Sequence, residues 1–404
     1  MMQVILVLNV GSSSIKFALY PADLVGYVGD MPQILRGKIA GIGVAPVLGL
    51  GHGVADIASF GAMERGEGHD ALIGRLLTWL DALPGFGAVV AVGHRIVHGG
   101  SEFAAPVRLD AATMTALEKL EPLAPLHQPH NLAGVRAVAL RHPDLLQIAC
   151  FDTAFHLTQP PVARRFALPQ ALSEAGIRRY GFHGLSYDYI ARILPDHLGS
   201  RAEGRVIVAH LGSGASMCAM QGRRSVATTM GFTALDGLVM GRRCGALDPG
   251  VVLHLLRQMK MSPDEVEHLL YEQSGLLGVS GLSRDMKVLE NSDDPRAAEA
   301  IELFCYRAVT TLGGLVAALG GLDALVFTAG IGENSALIRR EICGRLDWLG
   351  VELDENANMR GQTRISAAAS RCDVVVLPTD EERVIALATH ALLSPRVSAA
   401  DPVR

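Results

Sequence analysis

The chain has 404 residues, 49% hydrophobic and 19% charged, with a formal net charge of −5. That length allows two or three domains with large buried cores, and that charge gives no basis for a nucleic-acid surface. Its six cysteines stand at 150, 218, 244, 305, 343 and 372 with no Cys-x-x-Cys pair, which argues against zinc or a disulfide framework and for reduced cytosolic thiols.

The N-terminus has no basic segment followed by a long apolar one, so no signal peptide is expected. Val4–Tyr20 reads VILVLNVGSSSIKFALY, two apolar runs around Gly11-Ser12-Ser13-Ser14. This pattern predicts two strands joined by a tight hairpin. Gly11 permits close backbone approach to a ligand, and the hydroxyls with Lys16 suit a phosphate; an ordinary Ser/Gly turn is the alternative. Residues 21–70 predict further short strands and loops. Residues 70–83 carry apolar residues at helical spacing, and 88–93 predict a strand with Arg95 just past it, where α/β folds place ligand contacts. An amphipathic helix is expected over 110–122, then a rigid segment with three prolines at 122–129. Helix follows over 131–142 and strand over 145–151. Asp152 at that strand's end suits either a metal-bound water or a helix cap. Arg179-Tyr180-Gly181-Phe182-His183-Gly184 predicts a turn presenting an aromatic ring and an imidazole, followed by a helix from Ser186 to Leu194 and a polar turn over 199–204.

Residues 206–220, VIVAHLGSGASMCAM, repeat the opening design, with His210 in the place of Asn9 and Gly212 in the place of Gly11. A repeated strand–turn–strand unit opening each half predicts two related domains with two phosphate-cradling hairpins. Residues 228–250 form a Gly-rich loop whose Arg242 and Arg243 would be costly to bury without an anion. Ser262 and Glu265 make a capping box with Pro263 at the first helical position. A long helix is expected over 296–319. Val309–Gly332 reads as buried helix, Gly-Gly turn and core strand rather than a membrane span. Asp323–Arg340, DALVFTAGIGENSALIRR, reads as strand, glycine turn and helix, a place for an anionic or nucleotide ligand. It is not a dinucleotide fingerprint, and no G-x-x-x-x-G-K-[ST] loop is present. The strand Asp373–Leu377 leads to Thr379 and Glu382, which read as a second capping box; Glu381 then stabilises the helix dipole or serves a site. The tail after Leu393 reads as disordered.

The motifs LNVGSSSIKF, GHRIVHGG, PLAPLHQPHN, FDTAFH, YGFHGLSY, VAHLGSGAS, MGFTALDGLVMGRRCGALDPG, TAGIGENS and PTDEER occur in that order. Together they resemble the acetate kinase family, propionate kinases included, within the superfamily of sugar kinases, heat-shock chaperone ATPases and actin. The resemblance implies an α/β fold of two similar domains, each a mixed β-sheet flanked by helices (actin-like, ribonuclease H-like), with a cleft between them. The expected division is 1–154 plus 385–404 for the acyl-kinase domain and 155–384 for the nucleotide-binding domain. The implied reaction is Mg²⁺-dependent, reversible, in-line transfer from ATP to acetate, giving acetyl phosphate and ADP. Propionate is the alternative acceptor, and Mn²⁺ an alternative ion. A non-catalytic, chaperone-type ATP-binding protein or a sugar kinase would be the competing classes.

By the same resemblance Arg95 orients the carboxylate, Arg243 stabilises the transferring phosphoryl group and His183 donates to it. Asn9, Asp152 and Glu381 surround the metal, largely through water. Val97, Leu126 and Phe182 line a small apolar pocket. Ser12, Ser14, Lys16, His210, Leu211, Gly212, Ser213 and Gly214 cradle phosphates. Asp285, Met286, Lys287, Gly330, Ile331, Gly332, Glu333 and Asn334 match the adenosine side. The chain departs from the family's usual pattern at Ser213, where Asn is usual, at Ala234, where Pro is usual, and at Lys287, where Arg is common. A cytoplasmic homodimer without nucleic-acid or membrane partners is the remaining expectation.

Overall fold

A computed structural model describes residues 2–23, 32–53, 55–84 and 87–393. The tail after Leu393 lies outside the described residues. The chain divides into two compact units, one of Met1–Ala154 with the segment from Asp380 onward, the other Phe155–Thr379. The second crossing thus falls at 379–380, beside the expected 384–385.

The strands are β1 (Val4–Gly11), β2 (Ser14–Pro21), β3 (Leu35–Ala40), β4 (Val47–His52), β5 (Val89–Ile96), β6 (Val107–Arg108), β7 (Leu146–Phe151), β8 (Arg205–Leu211), β9 (Ala215–Gln221), β10 (Arg224–Thr228), β11 (Ala324–Thr328) and β12 (Asp373–Val376). In the first unit the sheet order is β4-β3-β2-β1-β5-β7-β6; in the second it is β10-β9-β8-β11-β12. β1 runs antiparallel to β2 and parallel to β5, and β5 runs parallel to β7. β8 repeats this, antiparallel to β9 and parallel to β11, which is parallel to β12. Both sheets are therefore mixed, and five strands of the first share the wiring of the second.

Strand alternation sets the first unit's two faces. Leu6, Leu8 and Val10 of β1 pack into a core with Leu72, Ile73, Leu76 and Leu77 of the helix His69–Ala82. The helix Gln128–Arg141 shares that side, where a Cβ on Gly134 would stand 2.8 Å from Val10 Cγ2. The helix Glu381–Leu393 packs on β5, and Gly93 is required there: a Cβ would meet Thr389 Oγ1 at 2.3 Å and Ile385 Cγ2 at 2.5 Å. In the second unit the long helix Pro295–Leu319 packs along β9. It is the one described helix with the length and hydropathy of a membrane span. Its stripe of Ala297, Ala300, Phe304, Ala308 and Leu312 is buried, as in an amphipathic core helix. It ends at Gly320-Gly321 before β11, as the sequence predicts.

Several local expectations change. β5 extends to Ile96, so Arg95 lies in the strand rather than past it. The expected helix over 110–122 is the shorter Ala111–Glu118 plus a 3-10 turn at Glu121–Leu123. Gln128 and Pro129 open the next helix, since Pro at its start sacrifices no hydrogen bond. No glycine turn follows β11: a short helix, Ala329–Asn334, starts at once, with Ala329 in the left-handed region at φ 65°. The capping box at Ser262 and Glu265 is present. The one at Thr379 and Glu382 is not; Asp380 Oδ1 accepts from the Arg383 amide, and Glu382 instead pairs with Arg36 at 3.2 Å.

Candidate active site

In the first unit the ends of β1, β5 and β7 bring Asn9, Arg95 and Asp152 together. Arg95 and Gly93 are two residues apart, so they share the face that carries the helix beginning at Glu381. Arg95 donates from Nη2 to Asp152 Oδ2 at 2.5 Å and from Nε to both carboxylate oxygens at 3.1 and 3.2 Å. Its Nη1 donates to Asn9 Oδ1 at 3.2 Å, and Glu381 Oε2 lies 3.8 Å from its Nε. Burial opposes the charge on Arg95, but Asp152 and Glu381 outweigh it and raise its pKa. Burial pushes the Asp152 carboxyl up to about 6, Arg95 pulls it back down and Glu381 adds to the rise, which still leaves a carboxylate at neutral pH. Asp152 thus caps no helix; it fixes the guanidinium. Lys16 stands opposite Asn9 in the β1–β2 register and opposite Lys38 in the β2–β3 register. Like charges face to face are unfavourable unless an anion joins them.

The first hairpin turns on Ser12 and Ser13, both exposed, with Ser14 half-buried. Residues to which the sequence reading gave no role hold it. Asn131 Nδ2 donates to the Val10 carbonyl at 2.6 Å while its Oδ1 accepts from the Val97 amide at 2.9 Å, tying the end of β1 to the end of β5. His69 Nε2 lies 2.7 Å from the Gly11 carbonyl and stacks on His130. Gln128 and Thr153 bond the amides of His98 and Gly99. Asn131, Gln128 and Thr153 lie within the motifs PLAPLHQPHN and FDTAFH, so the motif is their sequence signal; His69 lies in none of the quoted motifs. Val97 is buried and Leu126 is 38% exposed.

In the second unit the loop Gly212–Gly214 joins β8 to β9. The Gly212 amide bonds Gly214 O at 3.2 Å, and the Gly241 amide bonds Ser213 O at 3.1 Å. His183, in the left-handed region at φ 59°, places Nδ1 2.8 Å from Ser216 Oγ and stacks on His210 at 4.2 Å. His210 Nδ1 meets Ser186 Oγ, which meets Thr379 Oγ1, each at 2.8 Å. A Cβ on Gly214 would stand 3.4 Å from His183 Nε2 and 3.7 Å from Arg243 Nη1, so loop, imidazole and guanidinium lie beside one another. Arg243 Nη1 donates to the Ala234 carbonyl at 3.0 Å. Arg242 is exposed and pairs with Glu272. Phe182 and Leu211 are buried.

Of the residues matched to adenosine, Asp285 caps the short helix Met286–Glu290, leaving Lys287 exposed and Met286 buried. Glu333 Oε1 accepts from the amides of Ala329 at 2.8 Å and Thr379 at 3.2 Å. Asn334 Nδ2 reaches back to Gly330 O at 2.8 Å, while Ile331 is half-buried and Gly332 packs against Phe327. Glu333 is thus a structural brace tying the ends of β11 and β12.

The Acetokinase family model matches residues 4–387. The chain belongs to the acetokinase family. It is 54% identical over 389 residues to an acetate kinase of Rhodopseudomonas palustris (strain TIE-1), covering 96% of this chain and 97% of the relative. It is 48% identical to an acetate kinase of Rhizobium meliloti, covering 97% and 99% of the two chains. Among solved structures, a propionate kinase from Francisella tularensis superposes with a TM-score of 0.87 at 35% identity, covering 96% of this chain and 100% of that one. An acetate kinase from Porphyromonas gingivalis gives 0.83 at 33% identity, covering 97% and 100%. The chain is therefore a kinase of the family that transfers phosphate to a carboxylate, with the expected fold of two mixed sheets flanked by helices.

Proposed function

We propose that this enzyme phosphorylates acetate with ATP, reversibly, giving acetyl phosphate and ADP. The observation that carries the reading is the Arg95 guanidinium, clamped by Asp152, Asn9 and Glu381 in a family of carboxylate kinases. An acceptor carboxylate is already ionised at neutral pH, so the reaction needs no general base. It does need cations and positioning, because two anions must meet. Arg95, pre-oriented by Asp152, holds the carboxylate. Arg243 and His183, both beside Gly214, stabilise charge on the transferring phosphoryl group. Ser12, Ser14, Lys16 and residues 210–214 contact the phosphates. Asp285–Lys287 and residues 330–334 contact the adenosine, with Glu333 acting as a brace. Val97, Leu126 and Phe182 contact the alkyl group.

Asn9, Asp152 and Glu381 supply an amide and two carboxylates, all hard oxygen donors gathered round one guanidinium, a set that suits Mg²⁺ retaining several waters. When bound, the ion would neutralise phosphate charge. A cytoplasmic homodimer is part of the proposal; six cysteines outside any disulfide, five of them buried, support a reducing compartment. Sedimentation would test the dimer.

The decisive test is ATP with acetate, trapping acyl phosphate as its hydroxamate. Hydroxamate formation that depends on acetate and Mg²⁺ is expected; ATP hydrolysis without hydroxamate would overturn the reading. Propionate is the second acceptor to test, favoured by Ala234 in place of the usual Pro.

A further inference from the structure

A second cationic centre lies in the Phe155–Thr379 unit. A cavity of about 320 Å³ is lined by Arg164, Arg165, Arg178, Ser173, Gln170 and Glu174, none of which belongs to the site assigned above. Three guanidiniums face one carboxylate, and Glu174 already accepts from Gln170 Nε2 at 2.7 Å. Nε of Arg164, Nε of Arg178 and Oγ of Ser173 are buried atoms without a hydrogen-bond partner. Among the described residues no acidic side chain pairs with any of the three arginines.

The neighbouring Arg179 shows what a satisfied arginine looks like here. It donates to Asp236 Oδ2 at 3.0 Å and to Thr229 O at 3.2 Å, and it lies over the Phe166 ring. Buried polar groups in folded proteins are nearly always paired, so three orphans around one cavity need an explanation. Guanidiniums present several donors in a fixed fork that matches the oxygens of a phosphate or carboxylate, and a hydroxyl adds one more. We infer that this cavity binds a small divalent oxyanion, a phosphate or a dicarboxylate, at a place distinct from the phosphoryl-transfer residues.

Inorganic phosphate and malonate are the two probes, each titrated calorimetrically into the full chain, into Arg164→Gln/Arg178→Gln, and into Arg223→Gln as a control whose arginine pairs with Glu203 on the surface. At least one probe should bind wild type with Kd on the order of 1 mM or tighter, and the double variant should weaken it at least ~10-fold, as loss of charge-assisted bonds requires. The control should leave it unchanged. Phosphate alone responding marks a phosphate site, malonate alone a dicarboxylate site, and both the shared chemistry. If the double variant does not fold, the exposed Arg165→Gln should still weaken the same probe roughly threefold. Neither probe binding, or binding indifferent to these arginines, overturns the inference.

Discussion

The two sheets share five strands' wiring and differ in what stands at the strand ends. In the first unit β1, β5 and β7 end at Asn9, Arg95 and Asp152, an ion-paired cluster. In the second, β8 and β11 end near His210 and Thr328, and Thr379 follows β12; imidazole and hydroxyls replace the charges. The hairpins differ likewise. Both loops are held through a backbone carbonyl, Ser13 O by the amides of Gly41 and Ile42 and Ser213 O by that of Gly241, but the first hairpin is pinned in addition by side chains remote in sequence, Asn131 and His69. Wiring fixes where a residue stands; the residue fixes the chemistry.

The largest test contrasts the two arginines. Arg243→Ala should lower kcat by on the order of 10³ or more with little change in Tm, because a phosphoryl-stabilising guanidinium acts mainly in the transition state. Arg243→Lys should recover little, since an ammonium cannot replace a fork. Arg95→Ala should lose activity and also roughly 3 kcal/mol of stability, because it leaves Asp152 buried without its counter-ion. Equal thermal shifts in Arg95→Ala and Arg243→Ala would erase the contrast.

Acid should unsettle both units, the first through two rings and the second through one. His94 and His98 in the first and His156 in the second are buried, and burial lowers each to about 4 from 6.5. All three are neutral in the fold and take up protons more readily when unfolded. Stability should therefore be undiminished above pH 6.5 and fall from there towards pH 4, by at most about 3 kcal/mol for each. Chemical denaturation between pH 7 and 4.5 measures it; a flat curve would mean these rings are not held neutral.

Hairpin anchoring gives a smaller effect. Asn131→Ala removes two bonds to buried backbone groups and should cost about 2 kcal/mol and much of the activity. Ser213→Ala should cost under ~0.5 kcal/mol, because Ser213 is exposed and its loop is held through the backbone. Similar losses in both would show that the hairpins are anchored alike. Smaller still, Glu382→Ala should cost about 1 kcal/mol or less, since its partner Arg36 is 42% exposed. Glu381→Ala should instead raise the Mg²⁺ needed for half-maximal rate; metal titrations with the two effects exchanged would reverse the assignment.

These contrasts also mark what the sequence made legible. The hairpin repeat, the long helix and the capping box at Ser262 follow from local pattern, and so could be read directly. Thr379 and Glu382 also match a capping box, yet Asp380 takes the cap, because Thr379 is engaged by Ser186 and Glu382 by Arg36 across a gap of 346 residues. The role of Asp152 was unreadable for the same reason: its partner Arg95 is set by sheet register, 57 residues away. Asn131 and Glu333 brace backbone groups that only the folded chain brings together. Local chemistry shows in sequence; pairing across strands does not.

The smallest effect concerns the acyl chain. Val97 is buried immediately after β5, two residues beyond Arg95, so the proposed carboxylate-holding and alkyl-flanking residues are joined by one short segment. In the other unit the Ala234 carbonyl accepts from Arg243. A Pro at 234 would keep that carbonyl, because Pro lacks only the amide hydrogen. Ala234→Pro should therefore preserve kcat for acetate while adding ring volume to the loop. Each methylene buried without strain is worth about 0.8 kcal/mol, so a modest widening suffices to admit propionate. Acetate should be the best acceptor, with propionate within roughly tenfold in kcat/KM, about 1.4 kcal/mol, and butyrate clearly poorer. Val97→Ala should shift preference a few-fold toward propionate and Ala234→Pro should shift it back, a scale set by less than one buried methylene. The measurement is kcat/KM for the three acids on wild type and both variants. Butyrate preferred by the wild type, or an acetate-to-propionate ratio unmoved in Val97→Ala, would show that the alkyl group is bounded by other residues.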